Sequence, residues 1–304
     1  MPIAIQFSNP PAASTLLRSG PVSRRSLLAR QRIPLARQGL ADCHLCLHHC
    51  GVDRLAGPSG RCHAGADVRY FAAQTDVSDE LELLPSFAVS LSGCSLRCDF
   101  CITGAPSWSP RAGSDFDAGH MARRACAALA EGVGTIMVLG GEPTIHLPAL
   151  LEFVAALPDD ARLVLKTNAS FTDRARPLLA DLFDVWLPDL KFGQAECAHR
   201  LAAIPYEADC WGTVTRNLLW MARQKSASEL IVRHLLMPGH IDCCWAPVAR
   251  WLEAHLPGGK VSLRSGFWPA WQAARHLELR SPLARAEHDR AVALARECRL
   301  NLIP

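Results

Sequence analysis

Apolar residues along this chain gather into short runs, four to seven residues long, that stop at glycine, proline or a polar side chain. The runs are Phe87–Leu91, Gly134–Leu139, Arg162–Lys166, Asp184–Leu187, Leu230–Leu236 and Lys260–Arg264. Stretches of this length and makeup read as strands, and their near-continuous hydrophobicity suits a sheet covered on both faces. Between and after them, apolar positions recur at helical spacing near 117–131, 147–157, 172–182, 209–224, 245–255 and 283–298. Asp115 and Thr172 are expected as N-caps, and Pro148 and Pro177 suit first turns. Strand alternating with helix six times predicts an α/β chain, a partial (β/α)6 TIM-like barrel with right-handed crossovers. Asn168, Lys191 and Arg233 fall on or just after strand ends, where a parallel barrel carries its chemistry.

A chain of 304 residues, 49% of them hydrophobic, can bury a sizeable core and suits one large domain with a small appendage. The expected organisation is a flexible Arg-rich N-terminus with a docking helix (1–40), a Cys-rich metal-binding segment (41–80), the barrel (81–270) and a C-terminal helical tail (271–304). Residues 1–40 hold six arginines and no acid, which fits either an organellar transit peptide or a loose leader running into a helix at about 24–40. The second reading is preferred, and with it a cytoplasmic location. A net charge of +3 gives no argument for nucleic acid. No apolar run approaches the ~18–20 residues of a membrane span.

The 13 cysteines change the picture. The count is odd and seven of them fall in two tight groups, which argues against a disulfide framework and for metal-bound thiolates in a reducing compartment. The first group is Cys43, Cys46, Cys50 and Cys62, spaced C-x2-C-x3-C-x11-C in a glycine-rich segment. Four soft ligands make either a saturated zinc site or an auxiliary Fe–S cluster, and His44, His48, His49 or His63 is able to replace a cysteine. The second group is Cys94, Cys98 and Cys101, spaced C-x3-C-x2-C and following directly on a strand. Electron-transfer clusters usually take four cysteines, so three leave one iron of a [4Fe–4S] cluster open, as a reactive metal site requires.

At this triplet, with Phe100 before its third cysteine, the chain resembles the radical S-adenosylmethionine (SAM) superfamily. The resemblance implies a barrel of the radical SAM type, a [4Fe–4S] cluster on Cys94, Cys98 and Cys101, and SAM chelating the open iron. It implies one-electron cleavage of SAM to a 5′-deoxyadenosyl radical that abstracts a hydrogen atom. Gly140-Gly141-Glu142-Pro143 resembles the family's GGE motif beside the SAM amino group, and Asn168 its Thr-Asn-Gly corner, although Ala169 replaces the glycine. Lys191 in Leu187-Pro188-Asp189-Leu190-Lys191 and Arg233 in Ile231-Val232-Arg233-His234 resemble the SAM-contacting cations of glycyl-radical activating enzymes. Lys166 stands where those enzymes often have aspartate.

Over roughly residues 40–270 the chain is similar to uncharacterised iron–sulfur proteins related to pyruvate formate-lyase activating enzyme. It departs from them in Ile102-Thr103 after the third cysteine. The implied partners are a one-electron donor of the flavodoxin or ferredoxin type and a protein or peptide substrate, as in a glycyl-radical enzyme activase. A radical SAM enzyme acting on a peptide or small molecule, and a non-catalytic iron–sulfur electron carrier, stand as alternatives. The vicinal Cys243-Cys244 pair, His234 and His240 are assigned no role, and Trp268 and Trp271 suit either a pocket wall or the core.

Overall fold

The computed structural model describes residues 24–77, 80–224 and 228–304, so most of the Arg-rich leader, Arg18 included, lies outside the described residues. The strands in chain order are β1 (Arg69–Asp76), β2 (Ser86–Leu91), β3 (Ser114–Asp115), β4 (Thr135–Gly140), β5 (Leu163–Thr167), β6 (Val185–Pro188), β7 (Glu229–Leu235), β8 (Lys260–Arg264) and β9 (Asn301–Ile303). The helices are α1 (Arg25–Gln38), α2 (Ala105–Trp108), α3 (Ala118–Ala130), α4 (Leu147–Ala156), α5 (Arg176–Leu179), α6 (Ala195–Ala202), α7 (Cys210–Met221), α8 (Ala246–His255) and α9 (Arg285–Glu297).

One nine-stranded sheet runs β3-β1-β2-β4-β5-β6-β7-β8-β9, with β3 and β9 as its edges. From β2 to β9 every pairing is parallel, whereas β1 pairs antiparallel with both β2 and β3. The six expected strands thus form the centre of an open, unclosed sheet. Three strands were not legible in the sequence. β1 is only partly buried and lacks a clear apolar run, β3 has two residues, and β9 makes the expected helical tail end in a strand.

The alternation of side chains explains the unbroken apolar runs. Ile136, Val138, Leu163, Leu165 and Trp186 face the helical layer, while Met137, Val164, Val185 and Leu187 pack on the other face with Leu83 and Ile231. Both faces are dry, so consecutive positions must be apolar. Each fully buried aliphatic side chain contributes roughly 1.5–3 kcal/mol relative to exposure. α1 lays Ala29 and Ala36 against α4, and Arg25 at its start pairs with Asp184 at 2.7 Å.

Two caps differ from expectation. The carboxylate of Asp117 accepts from His120 N at the start of α3, and Asp115 sits in β3. Thr172 donates its hydroxyl to the His44 carbonyl at 2.6 Å, and the helix expected over 172–182 shrinks to the single turn α5.

Candidate active site

The face formed by the C-terminal ends of β2, β4, β5, β6 and β7 collects the polar residues. β2 ends at Leu91, and the chain turns through Gly93 (φ +90°) into the loop carrying Cys94, Cys98 and Cys101. A Cβ on Gly93 would come within 2.9 Å of Pro110. The end of β4 closes directly on this turn. Gly141 N donates to Leu91 O and Glu142 N to Gly93 O, both at 2.8 Å. A Cβ on Gly141 would lie 1.8 Å from Gly93 O, so the close backbone approach demands glycine there. A Cβ on Gly140 would likewise lie 2.2 Å from Leu91 O.

Glu142 is fully buried and accepts four hydrogen bonds. They come from Thr144 N (3.1 Å), Thr144 Oγ1 (2.7 Å), Thr167 Oγ1 (2.7 Å) and Asn168 N (2.6 Å). Burial raises its pKa against the pull of these donors. The carboxylate therefore locks the ends of β4 and β5 together, and holds Asn168 so that its Nδ2 reaches Cys94 Sγ at 3.6 Å and Ser95 Oγ at 3.1 Å.

The three thiols of the loop share one apolar setting, with Cys94 and Cys98 buried and Cys101 half-buried. Burial pushes Cys94 up to about 12 and Cys98 well above the ordinary thiol value, with Lys191 drawing Cys98 part of the way back. As free groups Cys94 and Cys98 would stay protonated and inert. Yet Cys94 Sγ accepts from Leu96 N at 3.3 Å as well as from Asn168 Nδ2. Donors aimed at sulfur are what a metal-bound thiolate needs, and a coordinated metal would deprotonate the thiols outright. The donor set fits a cluster.

Asp189, just past β6, anchors the charge beside the loop. It accepts from Lys191 Nζ at 2.6 Å and Arg233 Nη1 at 3.3 Å, and Arg233 Nε reaches Glu80 at 2.5 Å. Burial works against the Asp189 charge, but Lys191 and Arg233 outweigh it and hold the carboxyl below its ordinary value. Burial opposes the Lys191 charge as well, and Asp189 more than offsets that, so the ammonium stays protonated. Lys166 adds to the same cluster of cations. Beside the loop a small pocket is lined by Leu96, Asn168, Asp189, Lys191 and Phe192 among others. Phe100 is buried and meets Phe192 edge-on, ring centroids 6.1 Å apart.

Sequence reasoning missed Glu80, which reads as part of an acidic surface stretch but is fully buried against Arg233 and Ser262 Oγ. Only the pairing of distant strands reveals it. Trp268 and Trp271 are 66% and 43% exposed and belong to the outer rim, Trp271 over Gly104 and edge-on to Trp108.

The N-terminal cysteines Cys43, Cys46, Cys50 and Cys62 line a small pocket of their own. Arg54, fully buried, braces it by donating to Ala64 O (2.9 Å), Gly65 O (3.0 Å) and Ile145 O (2.8 Å), with Cys43 Sγ at 3.7 Å. Arg61 N points at Cys50 Sγ at 3.4 Å. Two of the histidines offered as replacement ligands are engaged elsewhere, His48 with Ser95 O at 2.8 Å and His44 with Asp42 at 3.0 Å.

The family model for the Radical SAM superfamily matches residues 89–252, from β2 through most of α8. An uncharacterized protein of Methanocaldococcus jannaschii, MJ0674, is 27% identical over 282 residues, covering 90% of this chain and 79% of that one. Among solved structures, Streptococcus suis SuiB bound to precursor peptide SuiA superposes with a TM-score of 0.50 at 14% identity, covering 69% of this chain and 46% of SuiB. SuiB bound to S-adenosylmethionine gives a TM-score of 0.48 at 15% identity, covering 69% and 47%. The chain spans less than half the length of these SuiB structures, and the likeness to the peptide-bound one is of fold alone.

Proposed function

The chain belongs to the radical SAM superfamily, and from that premise we propose that it acts on a protein or peptide substrate by hydrogen-atom abstraction, in the manner of a glycyl-radical enzyme activase. It is a radical SAM enzyme, and the family implies a [4Fe–4S] cluster and SAM. When bound, these supply the chemistry, one-electron cleavage of SAM to a 5′-deoxyadenosyl radical that takes a hydrogen atom from the substrate.

Cys94, Cys98 and Cys101 would hold the cluster, and Leu96 N and Asn168 Nδ2 would stabilise the charge on Cys94. Gly140, Gly141 and Glu142 set the strand edge that receives SAM. Lys191 and Arg233, both held by Asp189, would supply the positive charge for its carboxylate. Phe100 closes the loop against Phe192 and keeps water from the sulfurs. Cys43, Cys46, Cys50 and Cys62 hold an auxiliary Fe–S cluster. Support comes from the cavity they line and from their spacing. The spacing C-x2-C-x3-C-x11-C departs from the two C-x2-C pairs of a zinc ribbon.

The observation that carries the reading is the convergence of two buried thiols and one half-buried thiol, sulfur-directed donors and the Asp189–Lys191 pair on one strand-end face. A macromolecular substrate is favoured by the exposed apolar rim next to the third cysteine, where Ile102 is 78% exposed and Trp268 and Trp271 follow. The test is anaerobic incubation of the reconstituted protein with SAM and dithionite. We expect 5′-deoxyadenosine as product and a SAM-dependent change in the electron paramagnetic resonance spectrum of the reduced cluster. An unchanged spectrum without 5′-deoxyadenosine would leave the electron-carrier reading standing instead.

A further inference from the structure

Away from both cysteine groups discussed above, four more donor side chains meet. Cys197 lies on α6, and His240, Cys243 and Cys244 lie on the turn between β7 and α8. All four ligand atoms lie within 4.8 Å of one another, the one such group of three or more among the described residues. His240 Nδ1 stands 3.5 Å from Cys197 Sγ, 3.2 Å from Cys243 Sγ and 3.7 Å from Cys244 Sγ.

Hydrogen bonding does not account for this. An imidazole nitrogen offers one lone pair or one proton, so at most one of three sulfurs at this range can be satisfied by Nδ1. A cation at the centre satisfies all four groups together. With Zn–S near 2.3 Å and Zn–N near 2.0–2.1 Å, a tetrahedron has S···N edges of about 3.5 Å. The observed contacts of 3.2, 3.5 and 3.7 Å bracket that value. The spacing suits one ion and is too tight for an Fe–S cube.

The local fold is shaped to the same end. Residues Ile241–Trp245 form a widened π-type turn, which brings Cys243 and Cys244 round to the side of His240. Gly193 lets the start of the α6 segment close on that turn, since a Cβ there would lie 2.6 and 2.8 Å from the Cys244 and Cys243 carbonyls. On the far side of the ring, His240 Nε2 faces Glu278 Oε1 at 3.4 Å and Arg200 Nη2 at 3.2 Å, and Arg200 Nη1 holds the same carboxylate oxygen at 2.5 Å. A carboxylate on the second ring nitrogen is the usual support of a metal-bound histidine; because Arg200 can only donate, ligation through Nδ1 requires that Nε2 keep its proton and give it to Glu278.

We infer that Cys197, His240, Cys243 and Cys244 form a structural zinc site. Three thiolates and one imidazole close the coordination shell, so the ion has no open position for catalysis. Its place in the fold gives it a positioning role. It ties α6, whose C-terminal carbonyls Leu201 O and Ala202 O receive Asp99 N and Arg97 N of the cysteine loop, to the segment that follows Arg233. The inference does not depend on the radical reading.

Metal analysis of the full-length, tag-free chain purified anaerobically from zinc-supplemented cells tests it. We expect one zinc per chain, kept when Cys94, Cys98 and Cys101 are replaced by alanine, kept when Cys43, Cys46, Cys50 and Cys62 are replaced, and lost in Cys197→Ser with Cys243→Ser. Zinc that is lost with the Cys43 group and kept in the Cys197→Ser/Cys243→Ser variant overturns the assignment, as does a soluble wild type without zinc. Should the variants fail to fold, zinc X-ray absorption on the wild type decides, since one nitrogen and three sulfurs are expected and any other shell refutes the site. A Cys197–Cys244 disulfide found by mapping on the same sample refutes it as well.

Discussion

Arg97 belongs to the loop that carries Cys94, Cys98 and Cys101, yet its Nη2 donates at 2.9 Å to the carbonyl of Arg61, the residue before Cys62. Its other arm holds Cys94 O at 2.7 Å and Leu96 O at 3.1 Å. One buried guanidinium thus clamps the two cysteine groups to each other, and His48 adds a second link through Ser95 O. Separate in sequence, the groups are one mechanical unit.

Replacing Arg97 by alanine strands these buried carbonyls, at a cost of about 1–3 kcal/mol for an unsatisfied buried group. We expect the melting temperature of Arg97→Ala to fall by several degrees, with lower iron retention at both cysteine groups. Iron content equal to wild type at both would show that the groups are independent.

Cys98→Ala removes one of the two buried ligands of the proposed cluster. Formation of 5′-deoxyadenosine should drop to the enzyme-free background. Cys62→Ala, by contrast, should lower thermal stability and slow turnover while SAM cleavage persists. Continued SAM cleavage by Cys98→Ala would remove this loop from the catalytic site.

Lys191→Ala should leave iron content intact and weaken SAM binding. A hydrogen bond to a charged partner is worth about 1.5–3 kcal/mol, which corresponds to roughly 10–100-fold in affinity. Titrating SAM into the reduced protein and following its spectrum measures this directly. An affinity unaltered from wild type excludes Lys191 from the site.

His146 gives a pH prediction. It is fully buried, its Nε2 lies 2.8 Å from Ser92 O, and burial lowers its pKa to about 3. The unfolded chain returns it to about 6.5. Between those values the unfolded state binds the extra proton, so stability is fully present above about pH 6.5 and is lost as pH falls towards 3. The slope from this one group approaches about 1.4 kcal/mol per pH unit. His146→Gln, which keeps a donor for Ser92 O, should flatten the acid limb of the stability curve by that amount. A slope identical to wild type between pH 6 and 4 would mean the histidine is not held neutral.

Local pattern carried much of this protein. The six central strands and the helices near 118–130, 147–156, 210–221, 246–255 and 285–297 were legible because periodicity follows from which faces are dry. The spacing of Cys94, Cys98 and Cys101 was legible because three ligands on one loop are fixed by covalent neighbours. Even the glycines of Gly140-Gly141 were marked, although the reason they are needed is contact with Leu91 and Gly93.

What lay beyond reach depends on residues far apart along the chain. Glu80 finds Arg233 across 153 positions, and Cys197 finds His240 across 43, through strand order and helix docking that no local window encodes. An acidic stretch with a surface composition became a buried ion pair, and a vicinal thiol pair without a motif became half of a four-donor cluster. Covalent spacing and face periodicity are short-range properties and are written in the residues themselves. Charge pairing and metal geometry are set by distances in space, and those exist only once the sheet has assembled.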